Sequence, residues 1–307
     1  IQDVKYLVGR GEDFTKNFDD VVPSASIGYK LTDMSNLRLG YNMRIIVREL
    51  VLNPYLNDTD PSYISQGNPK LDSEKSHAFN LSYSNFTQKF NINISARYSF
   101  TNNSIENVTK LMPDTEIEGL KNPTGKDVLY STYANIGKTR RASVSAYVNW
   151  NATPRTRIYM NMSGDYSYME GSEGMRNDGW SLFAYGGAQQ TLPHDWRISL
   201  NVFGQTPWIM LQGKGSSFFD YGLSVNKSFL NKRLTLSAFA SNFFKKYMDQ
   251  SSTTEGAGFI RESSYKYSRQ RFGISVSYRI GELKASVKKA ARTISNDDVK
   301  SGGSGSG

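Results

Sequence analysis

Residues Arg271–Ile280 read RFGISVSYRI and alternate without a fault. In an extended chain, successive side chains point to opposite faces. Phe272, Ile274, Val276, Tyr278 and Ile280 therefore share one face, and Arg271, Gly273, Ser275, Ser277 and Arg279 the other. The stretch is a strand with one apolar and one polar wall. A soluble sandwich would bury the apolar wall. A transmembrane barrel would turn it toward lipid and line its lumen with the polar one.

The same pattern recurs upstream. Leu37, Leu39, Tyr41, Met43 and Ile45 oppose Arg38, Gly40, Asn42 and Arg44. Ile92, Ile94, Ala96 and Tyr98 oppose Asn91, Asn93, Ser95 and Arg97. Val144, Ala146, Val148 and Trp150 oppose Ser143, Ser145, Tyr147 and Asn149. Trp196, Ile198, Leu200 and Val202 oppose Arg197, Ser199, Asn201 and Phe203. Residues 126–152 read as one very long strand with a bulge at Ile136–Arg141. No helical period is sustained before residue 284.

Composition narrows the choice. Hydrophobic residues make up 38% of the 307, below the roughly 45–50% of globular domains. No run reaches the ~18 apolar residues of a membrane helix, so a membrane span must be β. With no cysteine, disulfides and thiolate metal sites are excluded. The net charge of +9 comes from basic residues that are scattered or gathered in turns and the tail, so a nucleic-acid partner is not expected. No catalytic constellation or phosphate loop is present, and neither enzyme activity nor a cofactor is expected.

Short polar turns at Thr32–Asn36, Thr87–Lys89, Asn151–Thr156, Leu192–Asp195 and Leu230–Arg233 alternate with longer connections near 48–75, 112–126, 170–178, 210–216 and 249–257. That is an antiparallel meander of about eleven strands with tight turns on one side, as in outer-membrane barrels. Trp150 and Trp196 flank short turns, and Trp180 and Trp208 sit beside long connections, as a lipid-facing aromatic girdle would require. Twelve residues from Trp196 to Trp208, at ~3.3 Å each and tilted near 45°, project to about 28 Å, close to the ~25 Å apolar band. The fold expected is all-β: an antiparallel transmembrane β-barrel in residues 1–283. A flexible tail, basic then Gly/Ser-rich, follows in 284–307.

The segment Arg48–Ser76 reads RELVLNPYLNDTDPSYISQGNPKLDSEKS, with LNP at Leu52–Pro54 and GNP at Gly67–Pro69. It resembles the TonB-dependent outer-membrane receptor superfamily, in its outer-membrane β-barrel branch. The stretches NNSIEN at Asn102–Asn107 and YANIGK at Tyr133–Lys138 and the closing strand are similar too. Glu49 departs from the family, which more often has Pro there. The resemblance implies an importer of a bulky nutrient in the outer membrane of a Gram-negative bacterium. Its long loops would be extracellular, its tail periplasmic, and its energy delivered by TonB through a plug that is not in this sequence. A surface lipoprotein is a further partner in this setting. The N-terminal IQDVKYLVGRGEDF is no signal peptide. Counting orientation back from the last strand places the first terminus on the outer side. An odd, outward-starting set then reads as the C-terminal half of a barrel of about 22 strands. A complete small passive porin and a surface β-rich adhesin are the alternatives.

Two groups of site residues follow. Arg38, Arg44, Arg97, Arg197 and Arg279 project from the polar walls into the lumen, to pair with plug or lumen carboxylates or to attract an anionic solute. The loop aromatics Tyr55, Tyr63, Trp208, Phe218 and Phe219 are candidates to stack on a ligand. Asn57–Asp60 offers oxygen ligands but lacks the glycine and final glutamate of a calcium loop, and reads as a solvated turn.

Overall fold

A computed structural model describes residues 2–6, 14–46 and 49–280. The proposed tail at 284–307 lies outside them. Among the described residues, strands β1 (Gln2–Tyr6) and β2 (Phe14–Phe18) pair only with each other. The wall begins with β3 (Ser24–Lys30) and β4 (Ser35–Ile46), joined by a tight turn. A one-turn helix α1 (Glu49–Leu52) and the short strands β5 (Leu56–Asp60) and β6 (Tyr63–Gln66) fill the first long connection. Next come β7 (Glu74–Phe86), β8 (Phe90–Pro113), β9 (Asp127–Thr153), β10 (Thr156–Glu170), β11 (Arg176–Leu192) and β12 (Trp196–Gln205). Then β13 (Ile209–Met210) and β14 (Gly213–Lys214) form a small hairpin before β15 (Phe218–Phe229) and β16 (Leu234–Ser241). A second hairpin, β17 (Tyr247–Gly256) and β18 (Phe259–Ser268), precedes β19 (Arg271–Tyr278).

The main sheet holds thirteen strands; β5 and β6 lie off its path, and eleven form a continuous antiparallel wall from β3 to β19. Every wall strand is joined to the next in sequence, with tight turns at one end and long connections at the other. These are called the turn end and the loop end below. Among the described residues, β3 and β19 each have a neighbour on one side only. The wall is therefore an open arc with two edges, at the positions the alternation of turns predicts.

The expected bulge is present. Thr101 faces Thr139, but Ser104 faces Gly137 and Ile105 faces Asn135. A Cβ on Gly137 would lie 2.1 Å from Ser104 Oγ, so the crowded bulge requires glycine. The shift exchanges the faces of β9: Arg141 and Ser143 line the polar side below it, whereas above it Ile136 packs beside Leu211 on that same side.

Two connections differ from expectation. The last connection, expected near 249–257, is longer: residues 247–268 form a hairpin of their own, in a four-stranded sheet with β13 and β14. Trp208 lies beyond β12, which ends at Gln205, so it is not on the outer wall in line with Trp196. Pro207 cannot donate to a ladder and ends the strand. The residues that flank the apolar band along one strand are instead Phe90 and Phe100 of β8. Ten residues at ~3.3 Å, tilted near 45°, project to about 23 Å.

Among the described residues, none covers the apolar wall. Ile27 is 70% exposed and Val144 59% exposed. Burial occurs instead at the loop end, in three small clusters: Leu52, Leu71 and Ile105; Ile64, Ile117 and Val128; Met169, Ile209 and Leu211. The first explains the LNP and GNP motifs. Gly67 presses on the Asn53 carbonyl, where a Cβ would lie 1.9 Å from its oxygen. The Asn68 N–H donates to the Val51 carbonyl at 2.7 Å. The two motifs clip together and drop Leu52 and Leu71 onto Ile105.

Candidate functional site

The polar wall of β4 and β7–β10 lines a cavity of about 760 Å³ at the loop end. Arg44, Arg97 and Arg141 reach it from three strands. Arg97 faces Ser143, and Arg141 faces Ser99, so the two are diagonal neighbours across β8 and β9. Arg44 stands opposite Ser76. Arg141 Nε donates to Ser167 Oγ at 3.1 Å. Glu74, Glu106 and Asp165 also line the cavity, and each carboxylate already accepts a hydrogen bond, Glu106 Oε1 from Thr139 Oγ1 at 3.4 Å. The Ile105 N–H donates to Glu74 Oε2 at 3.2 Å, and Ser143 Oγ to Asp165 Oδ1 at 2.5 Å. Among the described residues no carboxylate forms an ion pair with Arg44 or Arg97.

A roof closes part of this cavity. The hairpin β13–β14 folds over the polar wall, and Trp208, Ile209, Met210, Leu211 and Gln212 line the space beneath it. Its anchor is Gln212. The Thr109 N–H donates to Gln212 Oε1 at 2.7 Å, and Gln212 Nε2 donates to the Thr109 carbonyl at 3.0 Å. Strand β8 needs this contact because it outruns its neighbour: β7 pairs with β8 only as far as Thr101. The side-chain amide and the Glu74 carboxylate satisfy backbone groups on the edge thus bared. Asn177 of β11 holds the hairpin from the other side, donating to the carbonyls of Met210 at 2.7 Å and Gly213 at 2.9 Å.

The expected arginines divide between places. Arg44 and Arg97 line the cavity, and Arg38 donates to Ser26 Oγ at 2.9 Å lower on the polar wall. Arg197 is exposed near the turn end, between Thr191 and Asn226. Arg279 lies past the end of β19, its backbone N–H donating to the Arg233 carbonyl at 2.8 Å. Arg141 was not among them because it falls in the bulge IGKTRR, where alternation assigns no face. Gln212 carries no sequence signal, since its partner is 103 residues away.

The five aromatics are not brought together. Trp208 lines the cavity, its indole against the backbone of Gly215. Tyr63 has the Arg261 guanidinium 3.8 Å above its ring, so that face is occupied. Tyr55 is half-buried after α1, its N–H donating to Asn53 Oδ1 at 3.1 Å. Phe218 and Phe219 are consecutive in β15 and point to opposite walls. Phe218 packs 4.6 Å from Phe203 on the polar side, while Phe219 is exposed with Tyr221 on the apolar side. Trp150 and Trp196 stand on the apolar wall near the turn end and Trp180 on it near the loop end. Asn57–Asp60, expected as a solvated turn, is exposed but lies in β5; Asp60 Oδ1 accepts from Ser62 N–H and Oγ, and Asn57 Oδ1 accepts from Thr59. Those hydrogen bonds hold the Asp60 carboxyl below its ordinary range.

Comparison with known proteins accords with this architecture. A mutant of the ferric enterobactin receptor PfeA from Pseudomonas aeruginosa superposes with a TM-score of 0.53 at 15% identity, over 87% of this chain and 40% of that one. The copper transporter OprC superposes with a TM-score of 0.56 at 14% identity, over 91% and 44%. The chain thus spans less than half the length of either, and at these identities the likeness is one of fold. A search of the curated proteins gives no match. The model of the outer membrane protein beta-barrel family matches residues 3–278. The open antiparallel wall, its uncovered apolar face and that match together establish that the chain belongs to the outer membrane protein beta-barrel family.

Proposed function

We propose that this chain forms part of the barrel of a TonB-dependent importer that takes up a bulky nutrient, with energy delivered through a plug inside the lumen. The carrying observation is the group Arg44, Arg97 and Arg141, clustered on the polar wall with no described carboxylate paired to Arg44 or Arg97. Like charges this close favour a counter-charge. Carboxylates of a plug domain would supply it, and so would an anionic solute in passage. In this reading the apolar wall faces lipid, with Trp150, Trp180 and Trp196 at its two margins, the loop end is extracellular and the turn end periplasmic.

The test uses cells carrying the complete protein in their outer membrane. Growth on the limiting nutrient should stop when the proton-motive force is collapsed. The double variant Arg44→Gln, Arg97→Gln should loosen the plug and admit a large glycopeptide antibiotic that the wild type excludes. Uptake that survives uncoupling, with free entry of small hydrophilic solutes, would replace this reading by a passive porin.

A further inference from the structure

The apolar wall is not uniform. Strand register places Tyr41, Phe79, Tyr98, Ala142, Tyr166 and Trp180 in one cross-strand row near the loop end, from β4 to β11. The rings touch on either side, Tyr41 with Phe79 at 5.2 Å and Tyr166 with Trp180 at 5.3 Å, but the row breaks at Ala142. Below the break Ala96, Ala146, Gly164 and Ala184 keep the wall thin, leaving an apolar furrow of about 790 Å³ between Tyr98 and Trp180.

At the loop end of that furrow, two residues on from Ala142 and on the same face, stands Arg140. It is fixed rather than splayed. Nη1 donates to the carbonyls of Thr101 at 3.1 Å and Thr139 at 3.0 Å, and Nη2 to Asn102 Oδ1 at 2.8 Å. The guanidinium lies 5.4 Å from the Phe100 ring. Three of its five N–H groups are thereby used, leaving donors for a ligand. No described carboxylate pairs with it. His77 and Asp178 share its cross-strand row and the Lys138–Glu170 pair lies beyond it, so Arg140 stands where the apolar face gives way to a polar margin. A guanidinium there is placed to meet an anion at the interface.

We infer that this furrow binds a membrane lipid with an anionic phosphate headgroup, an acyl chain lying between Tyr98 and Trp180 and the phosphate on Arg140. The inference rests on the reading that the apolar wall faces lipid. A neutral lipid would make no use of the arginine, and a free phosphate none of the furrow. The two features together select a molecule with both parts.

The test is native mass spectrometry of the delipidated protein in neutral detergent, with dioleoyl phosphatidic acid and dioleoylglycerol as probes. The wild type should retain phosphatidic acid about tenfold better, the worth of one or two charge-assisted hydrogen bonds. Arg140→Gln should abolish the preference, and Arg140→Lys should keep part of it. Arg157→Gln, an arginine bonded to Asn149 on the polar wall at 2.7 Å, should behave as wild type. Ala142→Leu should fill the furrow and reduce retention of both lipids. Inorganic phosphate should not displace the bound lipid. The proposal is overturned if the wild type shows no preference, if Arg140→Gln retains it, or if inorganic phosphate competes equally. Equal retention of both lipids, lowered by Ala142→Leu, removes the phosphate site and leaves the lipid-facing wall intact. Retention of neither lipid, with Ala142→Leu without effect, removes both.

Discussion

Replacing Gln212 by alanine should unlatch the roof of the cavity without unfolding the wall. Thr109 is 3% exposed, and the amide of Gln212 satisfies both its N–H and its carbonyl. Each buried group left unpaired costs about 1–3 kcal/mol. The adjoining cavity of about 760 Å³ admits water that restores part of this. A net loss of about 2–4 kcal/mol in the local closing energy follows. In hydrogen–deuterium exchange of the detergent-solubilised protein, that corresponds to about 30- to 1,000-fold faster exchange at Thr109. Peptides from β12 and β16, remote from the latch, should be unchanged. Gln212→Glu should fall between, because a carboxylate accepts from the N–H but gives nothing to the carbonyl. Unchanged protection at Thr109 in Gln212→Ala would show that the amide pair does not hold the roof.

Three further outcomes are expected. Leu200→Arg on the apolar wall should weaken insertion by about 2–4 kcal/mol near the midplane, whereas Ser199→Arg on the polar wall should be far milder; equal loss of the folded, heat-modifiable band in both variants would refute the facing. Asp58→Cys, on the exposed tip of the first long connection, should react with a membrane-impermeant thiol reagent on intact cells; labelling only after the outer membrane is broken would invert the orientation. The Asp114 carboxyl accepts from Thr124 N–H at 2.6 Å, Thr124 Oγ1 at 2.7 Å and Gly125 N–H at 2.8 Å. Those bonds, the Thr124 N–H foremost, hold it below the ordinary carboxylate range. Its stabilisation is complete above that ordinary range and is lost as pH falls through the lowered value. Protease sensitivity of residues 114–126 should therefore rise in acid, and Asp114→Asn should show it already at neutral pH.

The wall was legible because its code is local. A period of two names both faces, and clusters such as TPR at Thr153–Arg155 or NKR at Asn231–Arg233 announce tight turns. What escaped lies where that code stops. Parity extends only as far as the strand, so it ran on through Pro207 and put Trp208 on the wrong wall. It also set the last connection at 249–257, whereas the wall strand before it ends at Ser241 and the hairpin of β17 and β18 fills the space up to β19. At the bulge the faces exchange, and Arg141 lost its assignment there. Phe218 and Phe219 were grouped as loop residues, but β15 begins at Phe218 and separates them. The cavity itself depends on contacts between residues a hundred positions apart, as for Gln212 and Thr109, and no local pattern encodes these.

The clip between Leu52–Pro54 and Gly67–Pro69 has an immunological consequence. It makes residues 53–75 a folded surface rather than a mobile arm, with Ile64 and Leu71 turned inward and Asn57–Asp60 outward. An antiserum raised against the free peptide would be directed in part at side chains the intact protein hides, and would recognise it poorly. Antibodies raised against the whole protein would instead read a rigid, discontinuous epitope in which β5, β6 and the neighbouring edge of β9 are held together. Such an epitope costs little ordering on binding. Escape from these antibodies would have to come from the outward tip, because changes at the clip would undo the packing beneath it.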